Sequence, residues 1–116
     1  MRLICPTAFK GTLSPAEAAR LLMEPGDRLL PLSDGGDGFI DCVQADLGGT
    51  LRMLPAADPF GRVREVPVLD LPDGTVVVES ARVIGMGGLD RLDPFLASSK
   101  GLGELLAQLQ DAPRLW

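Results

Sequence analysis

Arg2-Leu3-Ile4-Cys5, Ser14-Pro15-Ala16-Glu17 and Asp27-Arg28-Leu29-Leu30-Pro31-Leu32 decide how this chain folds. The first is a short apolar run stopped by Pro6, the pattern of a buried strand. The second is a helix start. Ser14 accepts from N–H groups that a helix leaves unpaired, Pro15 suits the first helical position, and Glu17 completes a capping box. Ala18, Leu21 and Leu22 then mark one face, and Pro25-Gly26 ends the helix. The third stretch is a second strand, with Pro31 marking an edge or a departure point. Strand, helix, strand in this order predicts two parallel strands joined by a right-handed crossover.

Outward from this core, Phe39, Ile40, Val43 and Leu47 predict a helix over residues 37–47, closed by Gly48-Gly49. The pattern then changes. Thr50 to Leu54 and Val63 to Leu71 alternate in part, Pro72-Asp73-Gly74 is a tight turn, and Val76-Val77-Val78 is a strand. Residues 63–79 therefore read as a β-hairpin. Gly85-Met86-Gly87-Gly88 is a break, and Ser99 to Gln110 reads as a final helix with Leu102, Leu105, Leu106 and Leu109 on one side. The fold class is α/β, with a parallel layer over residues 1–57 and β-rich material plus a helix over 58–116.

Composition narrows the function. The 116 residues carry 11 basic and 16 acidic side chains, a formal charge of −5, with 46% hydrophobic residues and no His or Tyr. No His means no Ser-His-Asp triad, no Cys-His dyad and no His-ligated zinc. Two cysteines, Cys5 and Cys42, make neither a Cys₄ site nor a disulfide framework. They suit a reducing compartment, and Cys5 is expected to be a buried, inert thiol. A negative chain without a basic stripe argues against nucleic acid. No apolar run is long enough for a membrane span, and no signal pattern opens the chain, so a cytoplasmic location is expected.

Parallel strands joined by one crossover end at the same sheet edge, where ligands of open α/β sheets bind. The loops there are residues 6–13, carrying Lys10 and Gly11, and residues 33–38, carrying Asp34, Gly35, Gly36 and Asp37. A Lys beside Gly can meet phosphate or carboxylate as a point charge, or it can be an ordinary solvated Lys. Asp34, Asp37 and Asp41 share a face if the helix begins early. They suit Mg²⁺, or one of them a general-base role, or they simply cap the helix. Arg62 follows the turn Asp58-Pro59-Phe60-Gly61 and can clamp an anion or sit solvated. Glu79 ends the Val-rich strand. Gly101-Leu102-Gly103 is not a dinucleotide fingerprint, because Leu106 stands where the third Gly belongs.

Taken together, five stretches resemble the first family of bacterial glycerate kinases. Pro6-Thr7-Ala8-Phe9-Lys10-Gly11-Thr12-Leu13-Ser14 resembles its opening Pro-Asp-Ser-Phe-Lys-Gly-Ser-Leu-Ser. Leu30-Pro31-Leu32-Ser33-Asp34-Gly35-Gly36-Asp37-Gly38 is similar to its Leu-Pro-Leu-Ala-Asp-Gly-Gly-Glu-Gly. Asp58-Pro59-Phe60-Gly61-Arg62, Val78-Glu79-Ser80-Ala81 and Ser98-Ser99-Lys100-Gly101-Leu102-Gly103-Glu104-Leu105 match three weaker motifs in the right order. The resemblance implies the start of a flavodoxin-like parallel three-layer domain and part of a β-rich second domain. It implies ATP-dependent phosphorylation of a glycerate hydroxyl with Mg²⁺. It also implies catalytic roles for Lys10 and Asp34, and metal binding by Asp34 and Asp37. Substrate binding would fall to Lys10, Gly11, Gly35, Gly36, Arg62, Glu79 and Lys100.

The chain departs from the family pattern at Thr7 and Ala8, where the motif has Asp and Ser. It is also about a third of the family's length, so it resembles the N-terminal segment. Two parallel strands are too few for an independent sheet. The expected partner is therefore a second copy or the remainder of the enzyme. The competing expectation is a non-catalytic relic or an anion-binding or interaction module.

Overall fold

β1 (Leu3–Ile4) and β2 (Arg28–Leu29) pair in parallel in the computed structural model, which describes all 116 residues. Two residues of each strand meet the strict pairing pattern, fewer than the stretches 2–5 and 27–32 suggest. The ladder nonetheless continues on both sides. Arg28 N–H donates to Arg2 O, Leu30 N–H to Ile4 O and Leu32 N–H to Pro6 O, each at 2.9 Å. Asp27 pins the other end of the pair. Its carboxylate accepts from the Arg2 backbone N–H at 2.9 Å and from the Arg2 guanidinium at 2.6 Å. A further bond comes from the Glu24 N–H at 3.0 Å. The Arg2 guanidinium first, then these backbone N–H groups, hold the Asp27 carboxyl far below the usual range.

The crossover is α1 (Pro15–Leu22), entered through the expected capping box. Glu17 N–H donates to Ser14 Oγ at 3.2 Å and Ser14 N–H to Glu17 Oε2 at 2.8 Å. Such a cap stabilises a helix by about 1 kcal/mol. α1 buries Pro15, Ala18 and Ala19, while Leu21 and Leu22 are 74% and 58% exposed. The leucines expected beside Ala18 on the core face therefore point to solvent, and small residues make the contact. α2 (Phe39–Leu47) buries Ile40 and Cys42, and Leu47 is exposed. Cys5, expected to be buried, is exposed, because the sheet has only two strands and no layer covers that position.

These elements form one compact unit, Met1–Gly48, and the rest of the chain forms a second, Gly49–Trp116. The expected division at 57/58 assigned β3 (Thr50–Ala57) to the first. β3 pairs along its whole length, Thr50 with Asp70 through Ala57 with Val63, with β4 (Val63–Asp70), and so belongs to the second. β5 (Thr75–Val78) completes the expected hairpin. β6 (Arg114–Leu115), absent from the sequence reading, adds in parallel to give the order β3-β4-β5-β6. Trp116 N–H donates to Val76 O at 3.0 Å and Val78 N–H to Trp116 O at 2.8 Å.

Two helices complete the second unit: a short α3 (Ser80–Ile84), also not read from the sequence, and α4 (Lys100–Gln108). Its core is Ala56, Val66, Val68, Val76, Val83, Leu105 and Leu109. Leu105 and Leu109 carry the expected face of α4, Leu102 is half-buried, and Leu106 is 39% exposed. α4 comes close to β3 because Gly101 has no side chain. A Cβ there would lie 1.9 Å from Ala57 O, whereas a Cβ on Gly103 would meet nothing within 4 Å. The fold is mixed α/β, with one parallel and one mixed sheet, and no helix is long and apolar enough to cross a membrane.

Gly101→Ala should destabilise the second unit by about 1–3 kcal/mol through overpacking against backbone that cannot yield. Gly103→Ala should instead stabilise it by roughly 0.5–1 kcal/mol through helix propensity. Urea unfolding followed by the fluorescence of the single tryptophan, Trp116, reads both.

Candidate functional site

In the first unit, the bond from Leu32 N–H to Pro6 O places the starts of loops 6–13 and 33–38 side by side at one sheet edge. The first loop folds into a tight turn. Thr12 N–H and Leu13 N–H donate to Phe9 O at 2.9 and 3.1 Å, and Phe9 N–H donates back to Leu13 O at 3.0 Å. Lys10 and Gly11 sit in that turn, both exposed, and Lys10 has no ion-pair partner. Phe9 beside it is 55% exposed.

The second loop is built from its own side chains. Gly35 N–H donates to Ser33 Oγ at 3.1 Å and Gly36 N–H to Asp34 Oδ1 at 3.0 Å. Gly35 and Gly38 take φ of 93° and 86°, a left-handed region that other residues rarely adopt. Those two positions stop the helix from beginning early, and α2 starts only at Phe39. The one-face arrangement of Asp34, Asp37 and Asp41 therefore does not form: Asp34 and Asp37 are loop residues, and Asp41 lies in the first turn of the helix. Asp34 and Asp37 are exposed and make no ion pair. No group of three or more Cys, Asp or Glu side chains gathers as a metal cage. Two open carboxylates suit a hydrated ion such as Mg²⁺, which keeps most of its waters, and do not suit a dry all-protein site.

In the second unit the anchor is Asp58, a residue the sequence reading treated only as part of a turn. It is 3% exposed. Oδ1 accepts from Phe60 N–H at 2.9 Å and Arg62 N–H at 3.0 Å, and Oδ2 accepts from Arg62 Nε at 2.8 Å. Burial pushes the Asp58 carboxyl up, but the Arg62 and Phe60 N–H groups and the Arg62 guanidinium outweigh it, so it titrates below its ordinary value. Arg62 is thereby fixed, and its Nη1 also donates to Asp90 Oδ2 at 2.6 Å. The expected anion clamp is thus already held by two carboxylates.

Glu79 is placed differently from a surface ligand. It is 1% exposed and accepts from Arg82 Nε at 3.2 Å, at the start of α3. In this position it holds Arg82. Lys100 opens α4, is exposed, and pairs with Glu104 at 3.3 Å. The N-cap Ser99 makes no side-chain cap, and Ser98 Oγ accepts from Lys100 N–H at 3.1 Å instead. Lys100 and Glu104 line a cavity of about 500 Å³ with Asp58, Phe60, Arg91 and Ser98. Arg91 was missed because no motif contains it. The structure sets its guanidinium over the Phe60 ring, 5.0 Å from the centroid.

The model of the glycerate kinase family matches residues 2–113. The chain belongs to the glycerate kinase family. It is 30% identical over 121 residues to a glycerate kinase of Bacillus subtilis, a match covering 95% of this chain and 32% of that protein. It is 29% identical over 117 residues to the glycerate 2-kinase of Escherichia coli, covering 90% of this chain and 30% of that one. The fold also matches the crystal structure of a Salmonella typhimurium LT2 protein assigned as glycerate kinase 2. There the TM-score is 0.71 at 24% identity, over 95% of this chain and 32% of that one. The chain thus spans about a third of the length of the curated relatives it matches.

Asp58, Asp70 and Asp73 all titrate below the ordinary Asp value in the folded chain. The Arg52 guanidinium is the main cause at Asp70, and the Thr75 backbone N–H at Asp73. A depressed carboxyl contributes stability above its unfolded pKa of about 3.9, and that stability is lost as pH falls through the folded value. Stability of the second unit should therefore be flat above about pH 5 and fall steadily below about pH 4. Asp58→Asn should make that acid limb shallower, as read by urea midpoints between pH 2 and 7.

Proposed function

We propose that this chain supplies the first loops of a glycerate kinase active site. The observation that carries the reading is the shared edge of β1 and β2. It presents Lys10 on one tight turn and Asp34 and Asp37 on the neighbouring glycine loop, all exposed and without ion pairs. Charges kept free on rigid turns are available to a ligand without first breaking an internal bond.

The reaction joins a glycerate hydroxyl oxygen to the γ-phosphorus of ATP, breaks the bond to the ADP leaving oxygen, and releases one proton. Catalysis of such a transfer is mostly positioning and charge neutralisation. Lys10 meets the glycerate carboxylate or a phosphate as a point charge. Gly11, Gly35 and Gly36 let backbone come close to the ligand. Asp34 has Oδ2 free beside its bond to Gly36 N–H and accepts the hydroxyl proton. Asp34 and Asp37 would hold Mg²⁺, which supplies charge neutralisation at the phosphates. Thr7 and Ala8, in place of the family's Asp and Ser, remove one charge from this loop and shift its hydroxyl from the second position to the first.

The partner in this reading is the remaining two-thirds of the family fold. Support comes from a two-stranded sheet and from Leu3, Leu21 and Leu22, which are 59%, 74% and 58% exposed and await cover. The chain is expected to self-associate when alone, and sedimentation velocity at two concentrations checks this. Calorimetric titration with D-glycerate should show saturable binding that Lys10→Ala weakens by at least tenfold, the loss of one charged contact. A folded chain that binds glycerate equally well with and without Lys10 would remove Lys10 from the site.

A further inference from the structure

We infer that the cavity beside α4 is an oxyanion-binding site whose principal ligand-binding residue is Arg91. The inference uses residues of the second unit only and does not depend on the loops of the first. The cavity, at about 500 Å³, is the size of a small-molecule site. Its charges can be followed one by one. Asp58 is taken up by Arg62 and by two backbone N–H groups. Lys100 is balanced by Glu104. The four charged lining residues sum to zero, but Arg91 has no acidic partner, so its guanidinium is the one charge of the lining not engaged by a counter-charge.

That charge is held in place. The Arg91 guanidinium lies over the Phe60 ring, a cation–π contact that restrains an exposed side chain while its N–H groups stay available to a planar or tetrahedral acceptor. The segment carrying it is tied down on both sides. Asp90 bonds to Arg62 at 2.6 Å, and Ser98 N–H donates to Pro59 O at 2.9 Å. Consecutive residues, Asp90 and Arg91, thus grip consecutive features of the 58–62 turn. An arginine ordered by its neighbours loses little freedom on binding, which favours two-pronged recognition of a carboxylate or phosphate. Lys100 can add a second cation, because its exposed pair with Glu104 is weak and readily exchanged.

The test is a ¹H–¹⁵N NMR titration of the full chain with inorganic phosphate, with D-glycerate, and with ATP in the absence of metal. Saturable shifts are expected at the amides of Arg91 and of residues 98–101. Arg91→Gln should weaken that binding about tenfold, and Arg91→Lys less, since a point charge replaces the fork. Phe60→Leu keeps the charge but removes its seat, and should weaken binding several-fold while leaving the spectrum dispersed. Saturation by phosphate and ATP but not glycerate assigns a phosphate-bearing ligand; saturation by glycerate alone assigns a carboxylate. Absence of saturable shifts at these amides, or shifts that Arg91→Gln leaves unchanged, overturns the inference. Shifts in residues 6–13 that vanish only in Lys10→Ala report on the other site, so the two readings fail separately.

Discussion

Much of the second unit depends on one carboxylate withdrawn from water. A buried charge is costly unless its lone pairs are met by donors. Asp58 meets that requirement with two backbone N–H groups and a guanidinium, all from the next four residues. The same bonds close the β3–β4 connection, so the register of the long antiparallel pair and the position of Arg62 are one event. Arg62 also pairs with Asp90, whose neighbour Arg91 lies over Phe60. A chain of local bonds therefore leads from a turn to the wall of a cavity. On the other side of that cavity, Gly101 lets α4 approach Ala57.

The first unit rests on a different constraint. Parallel strands cannot be joined by a tight turn, and the crossover that joins them returns the chain to the starting edge. That is why two loops 20 or so residues apart in sequence leave the sheet together, and why their polar residues were readable before any coordinates. The Ser14 capping box, the Pro25-Gly26 stop and the Gly48-Gly49 end were equally legible, because each is a local signal with a local cause.

What the sequence left unread is long-range or depends on cover. β6 has only two residues, and its pairing is decided by β5 some forty positions away. β3 was divided from β4 because composition shifts near Pro55, yet pairing along eight residues binds them. Leu21, Leu22 and Cys5 were expected inside since apolar residues usually are. Their exposure reflects a sheet of two strands with too little protein to bury them. Glu79 was assigned to substrate through the motif Val78-Glu79-Ser80-Ala81 alone. Its burial against Arg82 is a matter of packing that no motif records. Arg91 carried no signal at all, because an arginine over a ring about thirty positions earlier in the chain is defined only by the folded turn.

The two units distribute their ion pairs differently. In the second unit Arg52, Arg62, Arg82, Lys100 and Arg114 each have an acidic partner. Pairing of this kind orders side chains where it is buried, as at Asp58 and Glu79, and does less where it is exposed, as at Lys100. In the first unit the Arg2–Asp27 pair sits at the far end of the strands, while Lys10, Asp34 and Asp37 at the loop end stay open. Two arginines of the second unit have no acidic partner: Arg64 spends its N–H groups on the Arg82 and Val83 carbonyl oxygens, whereas Arg91 is held by a ring, which restrains it without spending its charge.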